Sequence, residues 1–265
     1  MPPFEKNNEY LTFGEHLEVL RKMLFRILSL FLVLAIIIFC FKQETFAFLL
    51  APKSSNFITY NFIEKLLQSI NCDFSFDSYD TPLISTDLSS QFMSHIYVSC
   101  ILALLLATPY MLYELFRFVS PALYESEKKY SILVTVFIYA FFILGVLMSY
   151  FILFPISFRF LATYQVDSSV ISTITLDSYI STFSTLVFLT GILFQLPLFV
   201  WFLGKLGFVS VKQLKIYRPY ALVIIMLIAA IITPPDIFTL LLVTLPIYSL
   251  YELSILILQK TIKRL

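Results

Sequence analysis

The chain has 265 residues, of which 59% are hydrophobic and only 13% charged, about half the charged share of a soluble domain. That excludes an ordinary soluble domain, and with it a nucleic-acid partner, and fits a polytopic membrane protein. The formal charge of +1 says little, whereas the placement of the charges says a good deal.

Phe at 29 and Tyr at 16, against 5 Gly, make the spans bulky, so glycine-lined helix contacts should be few. Cys40, Cys72 and Cys100 share no short spacing, which indicates neither a metal site nor a redox pair. No cofactor is expected. Cys40 and Cys100 fall in apolar runs and read as core residues, while Cys72 falls in a polar loop. Glu5, Glu9, Glu15 and Glu18 at the N-terminus, with no small-residue cleavage site after Leu24–Phe41, argue against a signal peptide.

Taken in order, residues 1–22 are a polar segment whose Leu11, Phe13, Leu17 and Leu20 suit an amphipathic helix on the membrane surface. A first span follows at about 24–41, with Arg26 near its start and able to snorkel to the interface. Residues 42–94 form the longest polar connection. Within it, 57–70 sets Phe62, Ile63, Leu66, Leu67 and Ile70 on one face of a short interfacial helix, followed by the acidic turn Cys72–Asp80.

Further spans are expected at about 95–116, 131–158, 179–203, 217–232 and 237–258. Pro109, Pro155, Pro197 and Pro246 predict kinks. The fifth run is short: its dozen apolar residues cover roughly 18 Å of a ~30 Å hydrocarbon core. The TPPD turn at Thr233–Asp236 separates it from the last span, where Asp236 is placed to cap the final helix.

Between the second and third spans lies the densest charge in the chain, FVSPALYESEKKY (Phe118–Tyr130), with Glu125, Glu127, Lys128 and Lys129 close together. In a six-span model the basic residues Lys6, Arg21, Lys22, Arg26, Arg117, Lys128, Lys129, Lys205, Lys212, Lys215, Arg218, Lys260, Lys263 and Arg264 share one side. Only Lys42, Lys53, Lys65 and Arg159 take the other, which places both termini and this charged knot in the cytoplasm. The chain reads as one all-α membrane domain over 1–265, N-in and C-in. His16 and His95 fall on opposite sides, and no catalytic constellation is visible.

Six motifs, in order along nearly the whole chain, carry a resemblance. They are FGEHLEVLRK (Phe13–Lys22), LISTDLSSQF (Leu83–Phe92), YELFRFVSPALYESEKKY (Tyr113–Tyr130), GILFQLP (Gly191–Pro197), and AAIITPPDIF (Ala229–Phe238) with YELSI (Tyr251–Ile255). In these the chain resembles the TatC family, the polytopic receptor subunits of the twin-arginine protein translocase.

That resemblance implies a concave, glove-like bundle whose fifth and sixth helices are short. It implies a non-enzymatic receptor that binds signal peptides with consecutive arginines on the cytoplasmic face and exports folded cargo on the proton-motive force. Its partners would be those peptides, single-span TatA/TatB-type subunits, membrane lipid and further copies of itself in a larger complex. The expected location is the bacterial cytoplasmic membrane, with an organelle inner or thylakoid membrane as the alternative.

Carried over by position, the family's loop glutamate falls on Glu127, followed by Lys128 and Lys129, with Phe118, Pro121 and Leu123 beside it in the same motif. The N-terminal pattern is met at His16, Leu17, Leu20 and Arg21. The family's glutamate position there is Val19, and Glu18 stands one residue earlier, about 100° round a helix. Gln195 stands where many relatives carry a membrane-embedded glutamate; it can hydrogen-bond but not titrate, so Gln195 and Pro197 suit contact with a partner helix. Pro52, Asp87, Asp236 and Glu252 complete the expected polar and structural positions, with Glu252 paired to a basic residue of the 4–5 loop or tail.

A receptor that selects arginine needs carboxylates in bidentate geometry, because a guanidinium keeps its proton and offers a planar fork of donors. Glu127 suits that role; the bland alternative is a solvated loop whose charges pair among themselves. A six-span secondary transporter or channel is the other reading, and it would show paired repeats or midplane ion ligands, which the sequence lacks.

Overall fold

A computed structural model describes residues 13–69, 82–119, 131–165, 167 and 173–262. The charged knot beyond residue 119, and with it Pro121, Leu123, Glu125, Glu127, Lys128 and Lys129, lies outside the described residues, as does Cys72.

The described chain is a helical bundle. Its long elements are α1 (Phe13–Cys40), α4 (Ser90–Val119), α5 (Ser131–Met148), α7 (Leu176–Leu193), α10 (Arg218–Ile232) and α11 (Ile237–Ile262). Shorter helices join them: α2 (Lys42–Leu50), α3 (Ile58–Gln68), α6 (Phe154–Thr163), α8 (Leu196–Lys205) and α9 (Val211–Ile216). Five apolar helical stretches are long enough to cross a membrane: Leu17–Cys40, Ser90–Leu115, Val134–Thr163, Leu176–Lys205 and Ile237–Thr261. Arg218–Ile232 is shorter, and at 1.5 Å per residue its 15 residues cover about 22 Å.

We call the end at which α4 finishes the near end and the opposite one the far end. α1 packs chiefly along α4, so Leu24, Phe25, Leu28, Leu32, Val33 and Ile36 remain exposed on its other faces. Cys40, expected in the core, is exposed at the far end of α1. α5 crosses α7 at a glycine pair: a Cβ on Gly145 would come within 3.0 Å of the Gly191 backbone and 2.8 Å of the Phe194 ring. Few glycines were expected at helix contacts; this pair and Gly204, which faces Leu258, are where the bulky helices come close. The core runs through Val98, Phe142, Tyr150, Phe154, Tyr179, Phe183, Ile225, Val243 and Ile247.

The prolines act in two ways. Pro109 and Pro246 stay inside continuous helices, whereas Pro155 and Pro197 begin new ones. The stretch 179–203, expected as one span, is divided at Phe194–Gln195 between α7 and α8. The physical cause is that Pro197 has no N–H for the preceding turn, so Gln195 N–H bonds back to Ile192 O at 2.9 Å in a tighter turn. Ahead of Pro155 the chain widens into a π-helical turn, Ser149–Leu153.

Each of two prolines frees a carbonyl four residues back, and each freed carbonyl finds a hydroxyl from elsewhere in the fold. Pro52 cannot bond Phe48 O, and Tyr150 Oη donates to that carbonyl at 2.8 Å. Pro155 cannot bond Phe151 O, and Thr59 Oγ1 donates to it. Tyr179 Oη donates to Leu49 O at 2.9 Å, and Tyr60 Oη lies 2.9 Å from Pro155 O and 3.2 Å from Pro52 O. The Arg159 guanidinium carbon sits 4.8 Å from the centre of the Tyr60 ring. α3 therefore turns Thr59 and Tyr60 inward and leaves Phe62 exposed.

The far end also carries a feature that loop-like sequence concealed. Two-residue strands β1 (Leu83–Ile84) and β2 (Ile174–Thr175) pair in parallel, Leu83 opposite Ile174 and Ile84 opposite Thr175. Just beyond, Ser90 and Ser94 on α4 donate to the Asp177 carboxylate at 2.7 and 2.6 Å.

Tyr150→Phe keeps the ring and removes the donor to Phe48 O. It should cost about 1 kcal/mol, read as a lowered unfolding temperature of the detergent-solubilised protein, while Tyr97→Phe at an exposed position leaves it unchanged.

Candidate functional site

At the near end α1 rises from Phe13 while α4 descends to Val119, so the amphipathic start of one lies beside the charged exit of the other. Where they meet, Arg26 forms a fork with Glu114: Nε donates to Oε1 at 3.1 Å and Nη2 to Oε2 at 2.8 Å. Tyr110, one turn before Glu114, donates its hydroxyl to the same Oε1 at 2.7 Å. The two partners differ in exposure, since the Glu114 side chain is 4% exposed and that of Arg26 is 48% exposed. Phe25, Arg26, Ser29, Leu30 and Tyr110 line a cleft of about 510 Å³ beside the pair.

Such a fork matches the planar guanidinium to both carboxylate oxygens, a match an ammonium cannot reproduce. It also has an asymmetric cost: removing the cation leaves a covered carboxylate uncompensated, whereas removing the acid leaves a half-exposed guanidinium that water can solvate. Arg26, which the sequence places near the start of the span and within reach of the interface, is paired here with Glu114. Sequence reasoning missed Glu114 and Tyr110, although both stand in the stretch Tyr110–Arg117. The signal that reveals them is an acid in the last turns of an apolar span, a place where such a residue needs a partner.

The expected N-terminal positions fall on regular helix. Glu18 pairs with Lys22 one turn later at 2.9 Å, both exposed, and Val19 and Arg21 are exposed. Because α1 continues unbroken from Phe13, the offset of about 100° between Glu18 and Val19 persists. Val19 is seven residues before Arg26 and so nearly on its azimuth, which puts the missing acid in line with Arg26. Phe118 lies half-buried in the last turn of α4.

Gln195 is buried at the break between α7 and α8. Its Nε2 donates to Ile138 O of α5 at 2.9 Å, and its Oε1 is buried with no partner among the described residues. Pro197 is buried in the first turn of α8. Asp236 caps α11: its carboxylate accepts from the Thr239 N–H at 2.7 Å and from the Thr239 hydroxyl. Glu252 pairs with Arg218 at 2.6 Å, with Tyr248 Oη at 3.2 Å from its other oxygen.

Pro52 is buried in the turn Ala51–Lys53 at the far end. Asp87 is exposed there, beside a second cleft that it lines with Lys42, Ser85, Gln91 and His95. His95 is held between the Phe39 ring, stacked at 4.2 Å, and Phe46. Gln195, Glu114 and His95 thus stand on three different levels of the bundle and form no single site. Among the described residues no group of three or more His, Cys, Asp or Glu is gathered to hold a metal ion.

Known proteins share this architecture. Residues 15–246 match the family described as Sec-independent protein translocase protein (TatC). A Sec-independent protein translocase protein TatC from Blattabacterium sp. subsp. Periplaneta americana is 35% identical over 255 residues, 95% of each chain. Its counterpart from Desulforapulum autotrophicum is 33% identical over 250 residues, covering 94% of this chain and 85% of the relative. A crystal structure of a Twin Arginine Translocase Receptor, TatC, superposes with a TM-score of 0.72 at 32% identity, covering 92% of this chain and 98% of that one.

Asp236→Ala removes the cap of α11 and should lower stability by about 1 kcal/mol in equilibrium unfolding. Glu252→Gln, at the exposed end of the same helix, should change it by less than about 1 kcal/mol.

Proposed function

The chain belongs to the TatC family of Sec-independent protein translocase components, and from that premise we propose that it is the receptor subunit that binds twin-arginine signal peptides at its near end. The observation that supports this most is the likeness over nearly the whole chain to a solved twin-arginine translocase receptor. The charge pattern supports the orientation: the basic residues gather at the near end, which makes it cytoplasmic, with both termini inside. The membrane is the bacterial cytoplasmic one, the driving force is the proton-motive force, and the cargo is folded.

Recognition falls to carboxylates, because consecutive guanidinium groups offer planar forks that lysine cannot imitate. Glu127 takes this part, with Lys128, Lys129, Phe118, Pro121 and Leu123 from the same motif and Arg21 and Glu18 from α1 contributing to the binding surface. Gln195 has a different task. With one amide N–H bonded to Ile138 O and a carbonyl oxygen that has no partner among the described residues, beside Pro197, it is suited to a hydrogen bond with a single-span partner helix, where such a bond is worth about 0.6–2 kcal/mol. Further copies of the chain and surrounding lipid complete the working complex.

Glu127→Ala should abolish export of a folded reporter carrying a twin-arginine signal while the protein remains inserted; wild-type export by that variant rejects the assignment. Gln195→Leu should weaken co-purification of the single-span subunits severalfold and leave peptide binding intact, as measured by quantitative pull-down from solubilised membranes.

A further inference from the structure

The pairing of Arg26 with Glu114 is built for more than holding two helices together. If its task were only to lash α1 to α4, the cheapest design in an apolar interface would be packed hydrophobic residues, which replace buried ion pairs with no loss of stability. Instead the acid is covered, braced by Tyr110 through a 2.7 Å hydrogen bond, and set for bidentate contact, while the guanidinium that fills it is half exposed and borders an open cleft. Glu114 lies five residues, about 7.5 Å along the helix, before the end of α4, within reach of an arginine side chain entering from the near end.

On α1, Glu18 is exposed and shares its carboxylate with Lys22 one turn later, whereas Glu114 is covered. We infer that Glu114 is an arginine-binding site for the signal peptide and that Arg26 is its resident occupant, which a peptide guanidinium displaces. This rests on the receptor reading above and adds to it a second carboxylate and a selection rule. An incoming arginine reproduces both hydrogen bonds of the fork and leaves Glu114 neutralised, so the exchange has little net cost. An incoming lysine reproduces one and leaves the other oxygen under-bonded in a covered position. Arg26, on a long flexible stem, swings from the acid into the water at the bundle end. The resident arginine thereby sets a threshold that lysine-bearing peptides fail to cross.

The test titrates a fluorescent synthetic peptide, two consecutive arginines ahead of an apolar run, and its two-lysine counterpart into the full chain in nanodiscs. Wild type should prefer the arginine peptide. Arg26→Gln vacates the site and should tighten arginine-peptide binding about tenfold, the scale of one charge-assisted hydrogen bond, and that peptide but not its lysine counterpart should raise the variant's unfolding temperature. Glu114→Gln should weaken arginine-peptide binding about tenfold or more and narrow the preference over lysine, with Glu114→Asp intermediate.

A plain helix clamp predicts that Arg26→Gln and Glu114→Gln both weaken binding; that result, or unchanged affinity in Arg26→Gln, overturns the inference while the receptor reading survives. If Glu114→Gln does not fold, Arg26→Gln decides alone. Equal binding of both peptides by wild type overturns the receptor reading and this inference with it.

Discussion

The fold depends on satisfying backbone carbonyls that its own prolines set free. A carbonyl without a donor is costly anywhere in an apolar bundle, and water is scarce there. Phe48 O and Phe151 O are each released by a proline four residues on, and each is taken up by a hydroxyl from another element, Tyr150 and Thr59 respectively. The two exchanges run in opposite directions: the span made of α5 and α6 serves the connection after α1, and that connection serves the span. With Tyr60 and Tyr179 added, four hydroxyls stitch the far end. The abundance of tyrosine, which composition reported only as bulk, is in part this supply of donors.

Charge follows a complementary rule. Three carboxylates toward the ends of the bundle are met by side chains of other elements: Glu114 by Arg26, Asp177 by Ser90 and Ser94, and Glu252 by Arg218. Several other Ser and Thr hydroxyls in the spans bond back to a carbonyl one turn earlier, as Ser99, Thr108, Thr244 and Ser254 do, while those of Ser149, Ser157, Ser184 and Thr190 are buried with no partner among the described residues. The polar side chains that join helices, rather than those spent on their own helix, mark where the architecture is specified.

Much of this was legible in advance where local rules govern. Long apolar runs give the helices, the two prolines of Thr233–Asp236 give the break before α11, and an aspartate after them gives a cap. What was hidden is long-range. Nothing local in Tyr110–Arg117 says that Glu114 will meet Arg26, 88 positions away, and nothing in Leu83–Ile84 names Ile174–Thr175 as its partner. The division of α7 from α8 was half visible: Pro197 predicts a disturbance, but whether it bends or divides a helix depends on neighbours such as Phe142 and Ile138. The charged knot was the clearest functional signal in the sequence, and it lies outside the described residues.

The pairing of β1 with β2 bears on how the chain is made. A parallel bridge between Leu83 and Ile174 cannot exist until residues some ninety positions downstream have been synthesised and the intervening hairpin has been delivered across the bilayer. The same is true of the Ser90–Asp177 contact next to it. Closure of the far end therefore requires both strands to reach the same side: a hairpin threaded wrongly would leave two strand edges and one carboxylate without these partners.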